Sequence, residues 1–243
     1  MAKKVSNERW GKAQAYERGF WSVQAGRSAG QSSRFQWYKE RAERIWSQAK
    51  PLLDGETKIS VLEIGPGPVG LVNYIEADER HALDPLENYY RSQVDFVKIR
   101  SKGVSYHQGT GEDISGLNRT FSFVIIDNVL DHVKDPQQVL REIHKNLKPR
   151  GIMFVSLNIY TQFGARLRNL MEVAEIDRGH PFNFTQDSIM STLQRCGFEA
   201  LFSETEDYRT QKRKYRKSGQ MREILKSCLG VTDFRFSAFC RKA

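Results

Sequence analysis

The decapeptide at positions 61–70, VLEIGPGPVG, constrains this chain more than any other stretch. Its opening residues read as a buried strand, and GPGPVG then fits the G-x-G-x-x-G spacing of a nucleotide-binding turn. Glycines there let backbone N–H groups approach a ligand at the carboxyl edge of a sheet. The prolines at 66 and 68 stiffen the turn without removing Gly65 or Gly67. Glu63 is at odds with a dinucleotide, because its charge, two positions before the first glycine, would oppose a pyrophosphate. A cationic ligand suits that acid better. The turn alone leaves nicotinamide, flavin and other adenosine-bearing ligands undecided.

From Lys58 onward, strand and helix patterns alternate. KISVLEIG reads as a buried strand and PVGLVNYIEA as a short helix. RHALDP, VSYHQGT and FSFVIIDN are further strands, with a helix from about Glu87 to Arg100 after the first of them. The unbroken apolar run of FSFVIIDN suits a strand covered on both faces. Asp135-Pro136 supplies an N-cap followed by proline at the first helical position, opening DPQQVLREIHKNL. GIMFVSLNIY is a fifth strand, Tyr160–Thr185 a polar-aromatic segment, and Gln186–Cys196 a helix ended by Gly197. Two β segments close the chain, FEALFSETED and TDFRFSAFCRKA, with a basic run between them. The pattern predicts an α/β fold with a parallel sheet and helices on both faces.

Ahead of this lies an aromatic N-terminal extension holding all four tryptophans. Trp10, Ala13, Glu17, Phe20 and Trp21 approximate helical spacing, as do Phe35, Tyr38, Ala42 and Trp46. Two helices follow, separated by a loop at Gly26–Ser33. They read either as a packed flap or as a lid over a substrate. The chain therefore divides into an extension, 1–50, and one domain, 51–243, with a substrate-facing insert at about 160–185.

At 243 residues, with 39% apolar and 28% charged residues, the sequence is that of a globular chain. No run reaches the roughly 18–20 apolar residues of a membrane span, and MAKKVSNERWGK lacks the apolar core of a secretory signal. The expectation is a cytoplasmic protein. Cys196, Cys228 and Cys240 form no C-x-x-C pair, so they predict neither a disulfide framework nor a zinc site. Net charge is +9, and Arg209–Lys217 carries six basic residues in nine. Such a run reads as a solvated face, with nucleic acid or anionic lipid as the alternative.

Three features narrow the ligand. Asp84, 19 residues beyond Gly65, ends the second strand, where a carboxylate can accept both hydroxyls of a ribose. Gly109-Thr110-Gly111-Glu112-Asp113-Ile114 is a small-residue turn followed by acids, able to flank an adenine. The fourth strand runs into IIDNVLDHVKDP. VLEIGPGPVG, HALDP, GTGEDI and FSFVIIDNVLDHVKDP…LREIHKNLKPRGIMFVSLN together resemble the motifs of class I S-adenosylmethionine (SAM)-dependent methyltransferases, in that family's order, over about residues 58–160.

The resemblance implies a Rossmann-like, doubly wound, seven-stranded sheet with an antiparallel last strand. It implies SAM as methyl donor and S-adenosyl-L-homocysteine as product. By position, Glu63, Gly65, Pro66 and Gly67 would line the methionine and ribose of SAM, Asp84 would bind the ribose, and Pro85-Leu86 would pack on adenine. Thr110, Gly111, Glu112 and Asp113 would surround the adenine edge, and Asp127 and Asn128 would lie beside the methionine and sulfonium. Two departures stand out: Val69 occupies a place often held by glycine, with Gly70 one residue later, and Thr110 stands where many members have an acid.

If the acceptor is a hydroxyl it needs a base, worth about 10²–10⁴-fold. His132 is the candidate, with Asp131 and His180 behind it; transfer by proximity alone is the alternative. A metal site built from Asp127, Asp131 and Asn158 has no recognisable spacing, so none is expected. The Asn/Asp-Pro-Pro-aromatic stretch of base N-methyltransferases, the cysteine of cytosine C5 enzymes and the paired-glutamate loop of arginine methyltransferases are all missing. A small-molecule, lipid or sugar acceptor remains, walled by the aromatic helices and the 160–185 insert. Arg27, Arg34, Arg166 and Arg168 would favour an anionic one. RNA or protein methylation is less favoured, and a non-enzymatic SAM-binding protein less still.

Overall fold

The structure, a computed structural model, describes residues 4–25, 28–173 and 180–243. Seven strands form one sheet: β1 Ser60–Ile64, β2 Glu79–Asp84, β3 Val104–Gln108, β4 Phe121–Asp127, β5 Leu147–Ile159, β6 Phe198–Thr205 and β7 Phe234–Lys242. Their order is β3-β2-β1-β4-β5-β7-β6, and β7 alone runs against the others. This is the predicted doubly wound sheet. Strand order reverses between β1 and β4, the position at which open α/β sheets leave a crevice. Register fixes what meets there: Ile64 pairs with both Leu83 and Ile126, so Gly65, Asp84 and Asp127 emerge together at one edge.

The extension is α1 (Asn7–Ala25) and α2 (Ser28–Ala49). Short helices α3 (Glu87–Arg91) and α4 (Val94–Val97) follow β2, α5 (Pro136–Asn146) follows β4, and α6 (Gln162–Val173) and α7 (Gln186–Arg195) lie between β5 and β6. Helices α8 (Tyr208–Lys217) and α9 (Met221–Leu229) join β6 to β7. Ala42, Ile45 and Ala49 of α2 bury one sheet face with Val61, Phe123 and Ile125. Val139, Leu140 and Ile143 of α5 bury the other with Leu62, Val124 and Ile126. Helix α5 starts as its sequence predicts, the Asp135 side chain accepting the Gln138 N–H at 3.0 Å with Pro136 behind it.

Several expectations need correction. PVGLVNYIEA forms only a four-residue 3₁₀ turn, Leu71–Tyr74, because the Glu63 carboxylate takes the Val72 N–H at 2.8 Å and sets the chain's path. The helix expected over 87–100 breaks at Gln93, whose extended backbone lets Phe96 turn inward against Trp21 and Tyr90. The loop expected at 26–33 is helical from Ser28 onward, and Gly26 and Arg27 lie outside the described residues. The 160–185 segment contains α6, and its residues 174–179 lie outside the described ones. The basic run is helix α8, N-capped by Asp207, which accepts the Thr210 N–H at 2.7 Å.

One buried ion pair holds the ligand edge in shape. Arg100 donates from Nη1 and Nη2 to Glu87 at 2.8 and 2.7 Å, and from Nε to the Pro68 carbonyl at 2.7 Å. Its guanidinium also lies 3.9 Å from the Tyr106 ring centroid. Glu87 is 1% exposed, so losing Arg100 leaves its buried charge only the longer 3.4 Å contact from the exposed Arg91. Arg100→Met should lower unfolding free energy by about 3–5 kcal/mol in urea, and adding Glu87→Gln should restore part of it. A loss under about 1 kcal/mol would contradict the pair's role.

Candidate active site

The glycine turn is held from beneath by two buried acids. Gly65 has φ +64°, and a Cβ there would lie 2.5 Å from a Val129 methyl. Gly70 has φ +85°, and a Cβ there would meet Glu63 Oε2 at 2.6 Å. Only glycine fits both places. Gly67, at φ +64°, and Gly70 hold the positive-φ positions on either side of the pair Pro68-Val69, so Val69, fully buried, can stand where glycine is common. Asp84 accepts the Gly67 N–H at 3.0 Å and the Leu86 N–H at 2.8 Å. Burial pushes Glu63 up to about 8 despite the N–H groups of Val72 and Leu71. It pushes Asp84 up to about 7 despite those of Leu86 and Gly67.

A cavity of about 470 Å³ opens above the turn, within the usual range for small-ligand clefts. Gly65, Pro66, Gly67, Asp84, Pro85, Thr110, Gly111, Glu112, Asp127, Asn128 and His132 all line it. Three expected residues do not. Glu63 lies behind the turn, Leu86 packs beside the Trp21 cluster, and Asp113 is exposed at a kink in the 3₁₀ helix Gly111–Leu117. Glu112 lines the cavity while its Oε1 accepts the N–H groups of Lys134 and Asp135 at 2.8 and 2.9 Å.

Asp127 is engaged differently from the expectation. Arg41 of α2 grips it through two 2.6 Å bonds, with both side chains buried, and also donates to Ser156 Oγ at 3.2 Å. Asn128 follows in a left-handed conformation, φ +58°, and its buried Oδ1 has no hydrogen-bond partner among the described residues. Strain of this kind gathers at functional positions. Gln14 Oε1 and Asp131 Oδ1 are orphaned in the same way. Gln14, Asn128 and Asp84 all line the cavity, so acceptor-bearing side chains surround it. SAM offers matching donors in its ammonium group, ribose hydroxyls and adenine amine. The residues present therefore fit it.

Beyond Asn128, Asp131 Oδ2 lies 2.9 Å from His180 Nδ1, and Asp131 Oδ1 lies 3.8 Å from His132 Nε2. The two imidazole centroids are 4.3 Å apart, and both rings line the cavity. Burial would raise Asp131, but His132 and His180 hold it down at about 2. This carboxylate is ionised, between two imidazoles. The three side chains bring ligand atoms within 4.8 Å of one another, a donor set a transition ion could use. The trio considered from sequence does not form, since Asp127 is held by Arg41 and Asn158 lines a separate cavity.

The extension builds the opposite wall. Trp21 packs on Gly67, 3.2 Å from where a Cβ would stand, and donates from Nε1 to Glu17 at 2.7 Å. Glu17 lines the cavity too, and its charge adds to the upward push on Asp84. At its start α1 is pinned to α6, with Arg9 holding Glu172 at 2.6 and 2.9 Å. Arg222 and Arg235 line the cavity from α9 and β7. Sequence reasoning missed Arg41, Gln14, Arg222 and Arg235; only the helical spacing of Glu17 with Trp21 carried a signal. Of the arginines expected to favour an anion, Arg166 is exposed, while Arg168 is buried, donating to Asn183 Oδ1 at 2.8 Å. Arg27 and the side chain of Arg34 lie outside the described residues.

A buried carboxyl raised to about 8 binds a proton that the unfolded chain releases near 4.5. Its contribution is complete below about 4.5 and fades as pH rises toward 8. Glu63→Gln keeps an oxygen for Val72 and should remove one proton's share of that decline, about 1.4 kcal/mol per pH unit. Urea midpoints between about pH 5.5 and 7.5 read this directly. Equal slopes in the variant and the parent would contradict it.

A family model described as a methyltransferase domain matches residues 38–202. The ubiquinone biosynthesis O-methyltransferase of Rickettsia canadensis is 26% identical over 102 residues, 41% of this chain and 43% of that protein. The chain thus spans less than half the length of that curated relative. Among solved structures, a Galdieria sulphuraria protein provisionally named a sarcosine dimethylglycine methyltransferase matches at TM-score 0.62 and 15% identity, covering 84% of this chain and 85% of that one. The N-methyltransferase NodS from Bradyrhizobium japonicum, in complex with S-adenosylhomocysteine, matches at TM-score 0.53 and 14% identity over 82% and 86%. At those identities the structures speak for the fold. With more than half its length matched by the family model, the chain belongs to the methyltransferase-domain family, in the class I SAM-dependent group.

Proposed function

We propose that the protein O-methylates a small hydroxylated acceptor, using SAM. The observation that carries this reading is the pair of cavity-lining imidazoles set beside one buried carboxylate, Asp131, which His180 contacts at 2.9 Å. SAM supplies an electrophilic methyl group. Asp84 would hold the ribose, Thr110 and Glu112 the adenine edge, and Gln14 and Asn128 the ammonium end, where their oxygens lack donors. Helices α1 and α2 act as a cover: Trp21 and Phe20 exclude water on one side, and Trp37 and Tyr38 offer aromatic faces to a planar acceptor. The ubiquinone O-methyltransferase relatives support a hydroxyl on such a ring as the acceptor.

The chain's own contribution is alignment and proton transfer. An imidazole nitrogen would take the proton of an acceptor hydroxyl whose oxygen bonds the methyl carbon, while the S–CH3 bond breaks and its electron pair leaves with S-adenosylhomocysteine. The imidazolium that forms is neutralised by Asp131, which is already ionised and hydrogen-bonded to His180. A neutral nucleophile thus gains charge only as the transition state needs it.

Methyl-labelled SAM and a panel of catechols and other phenols test this. His132→Ala and His180→Ala should each lower turnover about 10²–10⁴-fold while S-adenosylhomocysteine affinity stays near the parent's. Unchanged turnover in both would remove the base. Because the same three side chains are spaced for an ion, the reaction should also run at full rate after chelation. A loss restored by a divalent ion would assign the cluster to a metal instead.

A further inference from the structure

The hairpin of α8 and α9 has a surface that methyl transfer does not use. Six of the ten residues of α8 are Lys or Arg, and none of its residues is buried. On α9, Met221, Leu225 and Leu229 recur at i, i+4 and i+8, exposed by 69%, 52% and 52%. Phe163 of α6, 65% exposed, extends this stripe, its ring lying 3.2 Å from where a Cβ on Gly230 would stand. The hairpin is firmly built: Arg216 Nε donates to Ser227 Oγ at 3.2 Å, and Tyr215 and Lys226 both bind the Asp233 carboxylate at 2.9 Å.

Single exposed apolar residues are ordinary, but an aligned stripe is not. A stripe of long aliphatic side chains beside a cationic helix is the pattern of an element lying in a lipid headgroup layer. RNA would want aromatic faces for stacking on bases. Here both tyrosines of α8 turn inward, Tyr208 against Phe234 and Tyr215 onto Asp233.

We propose that the α8–α9 hairpin docks this protein on the surface of an anionic lipid bilayer. Met221, Leu225 and Leu229 enter the headgroup boundary while Arg209, Arg213, Lys214 and Lys217 meet lipid phosphates. Among the described residues no helix is long and apolar enough to cross a membrane, so the attachment is peripheral. The inference stands on the surface alone and does not depend on the acceptor proposed above.

Co-sedimentation of the full chain with vesicles tests it. Phosphatidylcholine vesicles carrying phosphatidylglycerol should bind the protein, pure phosphatidylcholine should bind it far less, and added salt should weaken the difference. Each basic residue near an anionic surface is worth about fivefold, so Arg213→Ala with Lys217→Ala should cut binding about 25-fold. Leu225→Asp should cut it at least about tenfold, with an unchanged melting curve; Met221→Asp replaces it if that variant does not fold. Vesicle binding that is equal in Leu225→Asp and the parent overturns the proposal. So does salt-sensitive binding to single-stranded RNA with none to vesicles.

Discussion

The site depends on how two buried acids take up the backbone N–H groups of the glycine turn. Glu63 holds Val72, and Asp84 holds Gly67 and Leu86. These bonds fix the path between Ile64 and Leu71 and leave Gly65 against Val129 and Gly67 against Trp21. They also account for ligand choice. In a dinucleotide site the turn's N–H groups are free to bind phosphate; here the Gly67 N–H is already satisfied by a carboxylate. What the cavity offers instead is acceptor-bearing side chains, those of Asp84, Gln14 and Asn128. A ligand rich in hydrogen-bond donors and carrying positive charge matches that lining.

The rest of the site is assembled on this frame by contacts distant in sequence. Arg41 reaches 86 residues to grip Asp127, and Arg9 reaches 163 to hold Glu172. Through these contacts α1 is tied to α6 and α2 to the end of β4, and both helices line the cavity. Opposite that wall, Asp131 organises two histidines, one its chain neighbour and the other 49 residues away. The cavity is therefore lined by groups in different settings, the carboxylates of Asp84 and Glu17 beside the glycine turn and Asp131's two imidazole neighbours beyond Asn128.

Much of this was legible in the sequence because it is local. The apolar runs from Ser60 to Ile159 have strand lengths and turn residues between them, and that alternation defines the doubly wound sheet. Asp135-Pro136 announced α5, and the glycine turn, Asp84 and His132 were visible as motif positions that the register then gathers. What sequence reasoning missed is tertiary. Nothing near Arg41 reveals that its partner ends the fourth strand. Glu63 looked like a ligand-facing acid because its distance from the glycines was readable and the direction of its side chain was not. The α8–α9 hairpin was hidden for another reason: its lysines and arginines obscure helical periodicity, and the apolar stripe of α9 faces outward.

The lining of this cavity suits a SAM-type nucleoside and not a dinucleotide. Calorimetric titration with S-adenosylhomocysteine and, separately, with NAD⁺ tests it most directly. One S-adenosylhomocysteine should bind per chain, with affinity sharply weakened by Asp84→Ala, and NAD⁺ should give no heat. Saturable NAD⁺ binding with no response to S-adenosylhomocysteine would contradict it.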